Sequence, residues 1–229
     1  ELEKLNKLKD EILHVAAHDL KNPLQAIMGT SQIIERRMPA ELGLSTQIDR
    51  IYQASRNMLH IISELLESAA IECGQIKMKK KRTNYTELVQ RLIDANLVNG
   101  EIKNQKIVFH CDKKYELFVD EQLLSEAIDN ILNNAVKYSN LNSEITVEMK
   151  RNIKSVVLTI SDEGPGFTDD DLKNLFKKFV TLSAKPTGKE SSTGLGLSIA
   201  KQLIELQGGE IKADNRKDRQ GAVFTVSFV

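Results

Sequence analysis

Apolar residues recur at alternating spacings of three and four through Leu5, Leu8, Ile12 and Val15, and the stripe resumes at Leu24, Ile27 and Ile34. That rhythm is a coiled-coil seam, so the chain is expected to begin as a helix. Arg37-Met38-Pro39-Ala40-Glu41-Leu42-Gly43 then supplies the proline and glycine that stop helices, and a turn is expected there. A second series follows at Ile48, Ile51, Met58, Ile62 and Leu65, flanked by Leu59 and Leu66. Its apolar face is wider than a two-helix seam. A lone helical hairpin cannot enclose such a face, whereas two hairpins pair into a four-helix bundle with every stripe inward. A homodimer is therefore expected.

Near Cys73-Gly74 the pattern changes. The basic run from Lys77 to Arg82, read as a solvated strand edge, leads into alternating short segments. Helical spacing at Thr86 to Leu97, Glu121 to Lys137 and Leu195 to Leu206 is interleaved with strand-like runs at Lys106 to His110, Ile145 to Met149, Val156 to Ser161, Glu210 to Ala213 and Ala222 to Val229. The expected organisation is multi-domain: an α-helical hairpin over residues 1–73, forming a dimeric four-helix bundle, then an α+β sandwich with a mixed sheet over residues 74–229.

Composition narrows the classes. With 229 residues, 41% of them hydrophobic, the chain can bury a real core. Thirty-two basic residues balance thirty-two acidic ones, so no global field favours nucleic acid or an anionic membrane surface. Cys73 and Cys111 lack metal-ligand spacing and read as buried thiols in a reducing compartment, which points to the cytoplasm. No apolar run reaches the roughly eighteen residues of a membrane span. The chain opens within a helical pattern, as a piece of a longer protein would, so an upstream sensor or membrane segment is left open.

His18-Asp19-Leu20-Lys21-Asn22-Pro23-Leu24 places a carboxylate beside an imidazole, with a proline five residues on. Pro23 donates no backbone hydrogen bond and crowds the carbonyl of Asp19, so the helix should bend there and expose His18. A carboxylate accepting the Nδ1 proton would fix the tautomer whose Nε2 is free to attack an electrophile. A surface histidine on a kinked helix is the plainer alternative. His14, one turn earlier, lacks both the following carboxylate and the proline, and His60 and His110 have no such neighbours.

Four further segments carry chemistry. Asn130 and Asn134 lie one turn apart on one helix face, where amide oxygens can serve Mg²⁺ alongside phosphate and water. Asp162-Glu163-Gly164-Pro165-Gly166-Phe167 follows a strand: glycines there allow close backbone approach, and a pocket-floor aspartate can accept from the exocyclic amine of adenine, although taken alone the segment equally suits an ordinary turn. Thr193-Gly194-Leu195-Gly196-Leu197-Ser198 opens a helix whose amides suit phosphates, without the lysine and hydroxyl of a Walker loop or the dinucleotide spacing. Between them, residues 168–192 carry Phe176, Lys177, Lys178 and Phe179 and read as a mobile lid anchored by the two phenylalanines.

The first constellation, HDLKNP, resembles the H-box of the sensor histidine kinase dimerisation and phosphoacceptor domain. The other four, in order and spacing, resemble the N, G1, F and G2 boxes of the Bergerat (GHKL) ATP-binding fold. Together they cover nearly the whole chain. The resemblance implies ATP-dependent autophosphorylation of His18 with Asp19 assisting, then phosphoryl transfer to an aspartate of a response regulator receiver domain. It implies that Asn22 orients water for regulator phosphatase activity, although Asn22 equally suits satisfying backbone groups freed by Pro23. It implies Asn130 and Asn134 on Mg²⁺ and phosphates, Lys137 on phosphate, Tyr138 on base or ribose, and Asp162 on adenine. Gly164 and Gly166 then shape the adenine pocket, Lys178 reaches phosphate, and Gly194, Gly196 and Leu197 form the phosphate-side turn.

The same fold serves ATPases, which place a glutamate one turn before the magnesium-binding asparagine; here that position is Asn130. Without that base, hydrolysis should be slow and the γ-phosphoryl should await another nucleophile. A catalytically silent phosphotransfer scaffold is the remaining alternative. Whether transfer runs within a subunit or across a dimer depends on the hairpin turn.

Overall fold

The computed structural model describes residues 20, 24–34, 45–72, 76–188 and 194–229. The chain divides into two compact units, Glu1–Ile76 and Lys77–Val229. His14, His18, Asp19, Asn22, Pro23, the stripe from Leu5 to Val15, the turn at Arg37 to Gly43, Cys73 and Thr193 lie outside the described residues.

In the first unit, helix α1 (residues 24–34) and helix α2 (Ser45–Glu72) meet through Leu24 and Ile62, with Leu59 and Leu66 packed against them. Only part of the apolar stripe is covered within one chain. Ile27, Ile33 and Ile34 of α1 and Ile51, Met58 and Ile61 of α2 stay between 37% and 54% exposed. Ser31 and Ser55 donate to the carbonyls of Ile27 and Ile51 four residues back, so these helix-interior hydroxyls are satisfied locally.

The second unit runs β1 (Lys81–Asn84), α3 (Tyr85–Ile102), β2 (Lys106–Cys111), β3 (Glu116–Val119), α4 (Glu121–Tyr138), β4 (Glu144–Arg151), β5 (Val156–Ser161), α5 (Asp169–Asn174), α6 (Gly196–Leu206), β6 (Gly209–Asn215) and β7 (Ala222–Phe228). Five strands form one sheet in the order β2-β4-β5-β7-β6, parallel between β2 and β4 and antiparallel elsewhere; β1 and β3 pair as a separate antiparallel ribbon. Alternation dictates the sheet's two faces. Ile145, Val147 and Met149, Leu158 and Ile160, and Phe224, Val226 and Phe228 are all buried. Against them pack α3, α4 and α6. Helix α4 buries Leu124, Ala127, Ile128, Ile131, Leu132, Ala135 and Val136, the three-and-four spacing of one helix face. The opposite stripe, Asn130, Asn134 and Lys137, is left to other business.

Asp120 caps α4, with Oδ1 accepting from the amides of Gln122 and Leu123 at 3.1 and 3.3 Å. Its Oδ2 accepts from Lys79 N at 2.6 Å, so the basic run is tied to this cap before entering β1, whose Lys81 and Arg82 are exposed. Within the segment read as a lid, α5 is started by a capping box between Thr168 and Asp171. Two expectations are corrected. Phe179 is 64% exposed and does not anchor that segment, while Phe176 is half-buried with Lys201 Nζ 5.2 Å from its ring centroid. Cys111 is half-buried rather than buried, its Sγ 2.9 Å from Lys113 O.

Candidate nucleotide site

One cleft in the second unit is lined by Asn134 and Tyr138 of α4, Asp162, Pro165, Gly166 and Phe167 after β5, Leu182 and Ala184 of the loop after α5, Leu197 of α6, and Ala222 and Phe224 of β7. Segments far apart in sequence converge because α4, α6 and the end of β5 share one layer boundary of the sandwich.

Asp162 forms the floor. It is 4% exposed, and its Oδ1 accepts from the amides of Gly164 at 2.8 Å and Ala222 at 3.1 Å. Burial pushes its carboxyl above the ordinary aspartate range, although those two amides and the nearby Arg216 guanidinium pull the other way. Among the described residues both side-chain hydrogen bonds go to Oδ1, so Oδ2 is the acceptor left for a ligand. A polar group this buried normally has partners for both oxygens, which makes the cleft chemically fit for a donor such as an exocyclic amine. The glycines fit as well: a Cβ on Gly164 would sit 2.7 Å from Tyr138 O and 3.0 Å from Asp162 Oδ1. The turn can therefore lie against α4 only without a side chain.

Phe167 leaves this turn edge-to-face with Phe224, at 5.8 Å between centroids. Asn215 braces it, accepting from Phe167 N at 2.7 Å and donating to Phe167 O at 2.8 Å. Behind the turn, Arg216 approaches Asp162 O, and Arg219 pairs with Glu163 at 2.7 Å. At the other end, Gly194 has φ +72° and lies so close to Phe179 and Val180 that a Cβ would meet Val180 O at 2.8 Å. Phe179 N donates to Gly194 O at 3.0 Å, so the phenylalanine-bearing loop and the glycine turn meet backbone to backbone. Gly196 opens α6, and the N-cap position is Leu195, whose side chain cannot cap the helix amides. Such an N-terminus favours an anion.

Of the residues singled out from the sequence, Asn134, Tyr138, Asp162, Gly166 and Leu197 line the cleft. Gly164 abuts it through Tyr138 and Asp162. Asn130 is half-buried one turn before Asn134 and is not part of the lining. Lys137 is half-buried with its Nζ 5.6 Å from the Tyr138 ring centroid; Lys178 is half-buried in the turn after α5, and neither it nor Gly194 nor Gly196 lines the cleft. Sequence reasoning missed Leu182, Ala184, Ala222 and Phe224, whose apolar character carries no mark distinguishing pocket wall from core. It also missed Asn215, which braces Phe167 through that residue's backbone amide and carbonyl and follows no motif. Among the described residues no cluster of His, Cys, Asp or Glu could hold a metal ion.

Two family models match the chain: the His kinase A phosphoacceptor domain over residues 8–74, and the histidine kinase-, DNA gyrase B- and HSP90-like ATPase over residues 119–229. The pair in this order decides the family. The chain belongs to the sensor histidine kinases of two-component systems. The sensor protein KdpD of Clostridium acetobutylicum is 31% identical over 95% of this chain and 24% of its own length. The autoinducer 2 sensor kinase/phosphatase LuxQ of Vibrio parahaemolyticus is 26% identical over 100% of this chain and 27% of its own. This histidine kinase chain thus spans about a quarter of the length of such curated relatives. Among solved structures, full-length ShkA with AMPPNP superposes with a TM-score of 0.80 at 20% identity, covering 95% of this chain and 45% of that one. The histidine kinase ThkA with the response regulator TrrA gives 0.66 at 21% identity, covering 95% and 60%. These likenesses establish a shared fold.

Proposed function

We propose that the chain is the catalytic core of a sensor histidine kinase that binds ATP with Mg²⁺ in the cleft around Asp162 and transfers the γ-phosphoryl group to His18. The observation that carries this is the convergence of Asn134, Tyr138, Asp162 and Leu197 on one cleft, where the buried Asp162 carboxylate accepts both of its side-chain hydrogen bonds at Oδ1. AMPPNP bound to a kinase of the same fold supports the choice of nucleotide.

In this assignment Asp162 accepts from the adenine amine, the glycine turn at Gly164 and Gly166 admits the ring, and Tyr138 flanks base or ribose. Asn130 and Asn134 would offer amide oxygens to Mg²⁺, which when bound balances charge on the phosphates. Lys137, Lys178 and the amides at Gly194, Gly196 and Leu197 complete the phosphate side. At His18 the Nε2–phosphorus bond forms as the bond to the leaving β-phosphate oxygen breaks, releasing ADP, while Asp19 accepts a hydrogen bond from Nδ1. Positioning and charge stabilisation suffice for such a transfer. The phosphoryl group then passes to an aspartate of a receiver domain, and Asn22 would orient water when the regulator is dephosphorylated. The crystallised kinase–regulator complex and the kinase/phosphatase relative support that route.

The apolar residues left exposed on α1 and α2 support homodimerisation through a four-helix bundle. No helix among the described residues is long and apolar enough to cross a membrane. We place the chain in the cytoplasm, where ATP and receiver domains are available.

The test is the fate of the γ-phosphoryl. With γ-labelled ATP and Mg²⁺, label should accumulate on protein in an acid-labile, alkali-stable form. Label released instead as free phosphate would make the protein an ATPase; ATP bound with no transfer would make it a silent scaffold.

A further inference from the structure

The ordinary N-terminal cap of α4 has an unusual counterpart at the other end. The helix finishes at Tyr138, which lines the cleft, and its last carbonyls are gathered by two side chains from the connection between α3 and β2. Lys103, 7% exposed, donates through Nζ to Val136 O at 3.1 Å and Lys137 O at 3.3 Å. Gln105, 5% exposed, donates through Nε2 to Val136 O, Ser139 O and Asn140 O at 3.1 to 3.2 Å. A cation at a helix C-terminus is favourable on its own. Burying an ammonium there for that alone would be costly, since a solvent-exposed lysine could serve as well.

Lys103 also reaches the loop that walls the cleft. Nζ donates to Thr187 Oγ1 at 3.1 Å, and Thr187 belongs to the loop that follows α5 and walls the cleft with Leu182 and Ala184. Thr187 N donates to Lys137 O at 3.0 Å, and its hydroxyl has Ser139 O at 2.9 Å and Lys137 O at 3.1 Å as acceptors. The loop is therefore clamped on the carbonyls either side of Tyr138. Tyr138 O itself is the atom against which Gly164 is pressed. The α3–β2 connection is in turn fixed, because Lys103 O accepts from Asn142 N at 3.1 Å and Lys106 N donates to Ser143 O at 3.0 Å.

We propose that Lys103 and Thr187 are positioning residues for the nucleotide: the buried ammonium and the loop hydroxyl together set Tyr138 and the Leu182–Ala184 wall at the spacing the ligand requires. This rests on the cleft being the ATP site. Neither residue touches the ligand; both act through the backbone of Lys137, Tyr138 and Ser139. Their loss should therefore weaken nucleotide binding while leaving the transfer step, once ATP is saturating, largely intact.

The experiment compares wild type with Lys103→Met, Thr187→Val and Thr187→Ser in titrations with a non-hydrolysable ATP analogue and Mg²⁺, in autophosphorylation rate against ATP concentration, and in thermal melts without nucleotide. Lys103→Met should raise Kd and KM about tenfold or more, the scale of losing hydrogen bonds from a charged donor, with the saturated rate held within about threefold. Thr187→Val should move KM in the same direction by a smaller factor, and Thr187→Ser should restore it. Thr187 is exposed, so its variants should fold, and they decide the matter even where Lys103→Met does not. Unchanged affinity in folded variants, or a loss of saturated rate and melting temperature with no change in Kd, would overturn the proposal. A wild type that binds no adenine nucleotide would overturn the ATP assignment and this inference with it, whereas wild-type binding with indifferent variants removes the inference alone.

Discussion

Replacing Asp162 with asparagine should separate binding from stability, with opposite signs. The two side chains have nearly the same shape, so the asparagine oxygen can take over the bonds that Oδ1 accepts from Gly164 and Ala222. The amide nitrogen then occupies the place of Oδ2 and turns an acceptor into a donor facing the adenine amine. Losing a hydrogen bond to a charged group is worth about 1.5–3 kcal/mol, so affinity for ATP should fall by roughly 10- to 150-fold. Stability should go the other way. Burial raises the folded-state pKa of Asp162 above its unfolded value, so ionising it costs stability as pH rises through the interval between the two. At neutral pH a neutral asparagine should leave the melting temperature unchanged or higher. Calorimetric titration with the ATP analogue, beside thermal melts of the nucleotide-free protein at pH 7, reads both quantities. An affinity within twofold of wild type, or a fall in affinity accompanied by a marked drop in melting temperature, would refute the assignment of Asp162 as the adenine acceptor.

Gly164→Ala should destabilise the fold by about 1–3 kcal/mol by denaturant titration and remove measurable ATP binding, because the new Cβ must displace Tyr138 O or the Asp162 carboxylate; normal binding would mean the turn has room the geometry denies. Tyr85→Phe should be neutral or stabilising by about 1 kcal/mol in urea unfolding, since the hydroxyl is fully buried without a hydrogen-bond partner among the described residues. A clear loss would reveal a partner for that hydroxyl. Burial would push the Asp171 carboxyl up, but hydrogen bonds from Ser183 and Thr168 outweigh it and hold the carboxyl down to about 2. A lowered folded pKa gives stability that is present above the unfolded value, about 3.9, and lost as pH falls toward 2. Asp171→Asn should flatten that acid limb in unfolding measured from pH 5 downward; an unaltered limb would place the acid-sensitive group elsewhere.

Elements that bury one face were legible because burial writes a period into the sequence. The spacing of Leu124, Ile128, Ile131 and Ala135 placed α4 within a residue of its observed ends, and alternation placed β4, β5 and β7. Of the ribbon, only the exposed start of β1 at Lys81 and Arg82 was legible, as a solvated strand edge; β3 was not, since a strand of four residues carries too little alternation and Phe118 is 67% exposed. Helix α5 was hidden because its signal is a cap and acidic first turn rather than an apolar stripe. In the cleft, residues whose chemistry is rare at their position, such as Asp162 between a strand and glycines, announced themselves. Lys103 and Thr187 did not, because a lysine in a charged connection and a threonine in a polar loop look ordinary until the carbonyls they hold are known.

In the proposed reaction the cleft around Asp162 holds the ATP whose γ-phosphoryl group passes to His18. Wild type, His18→Gln and His14→Gln should be incubated in parallel with Mg²⁺ and γ-labelled ATP, and the labelled residue mapped under conditions that preserve phosphohistidine. Acid-labile label on wild type and on His14→Gln, at His18 and absent from His18→Gln while that variant still binds ATP, is the expected result. Label that persists in His18→Gln, or a wild type that binds ATP with Mg²⁺ yet transfers nothing to protein, would contradict it.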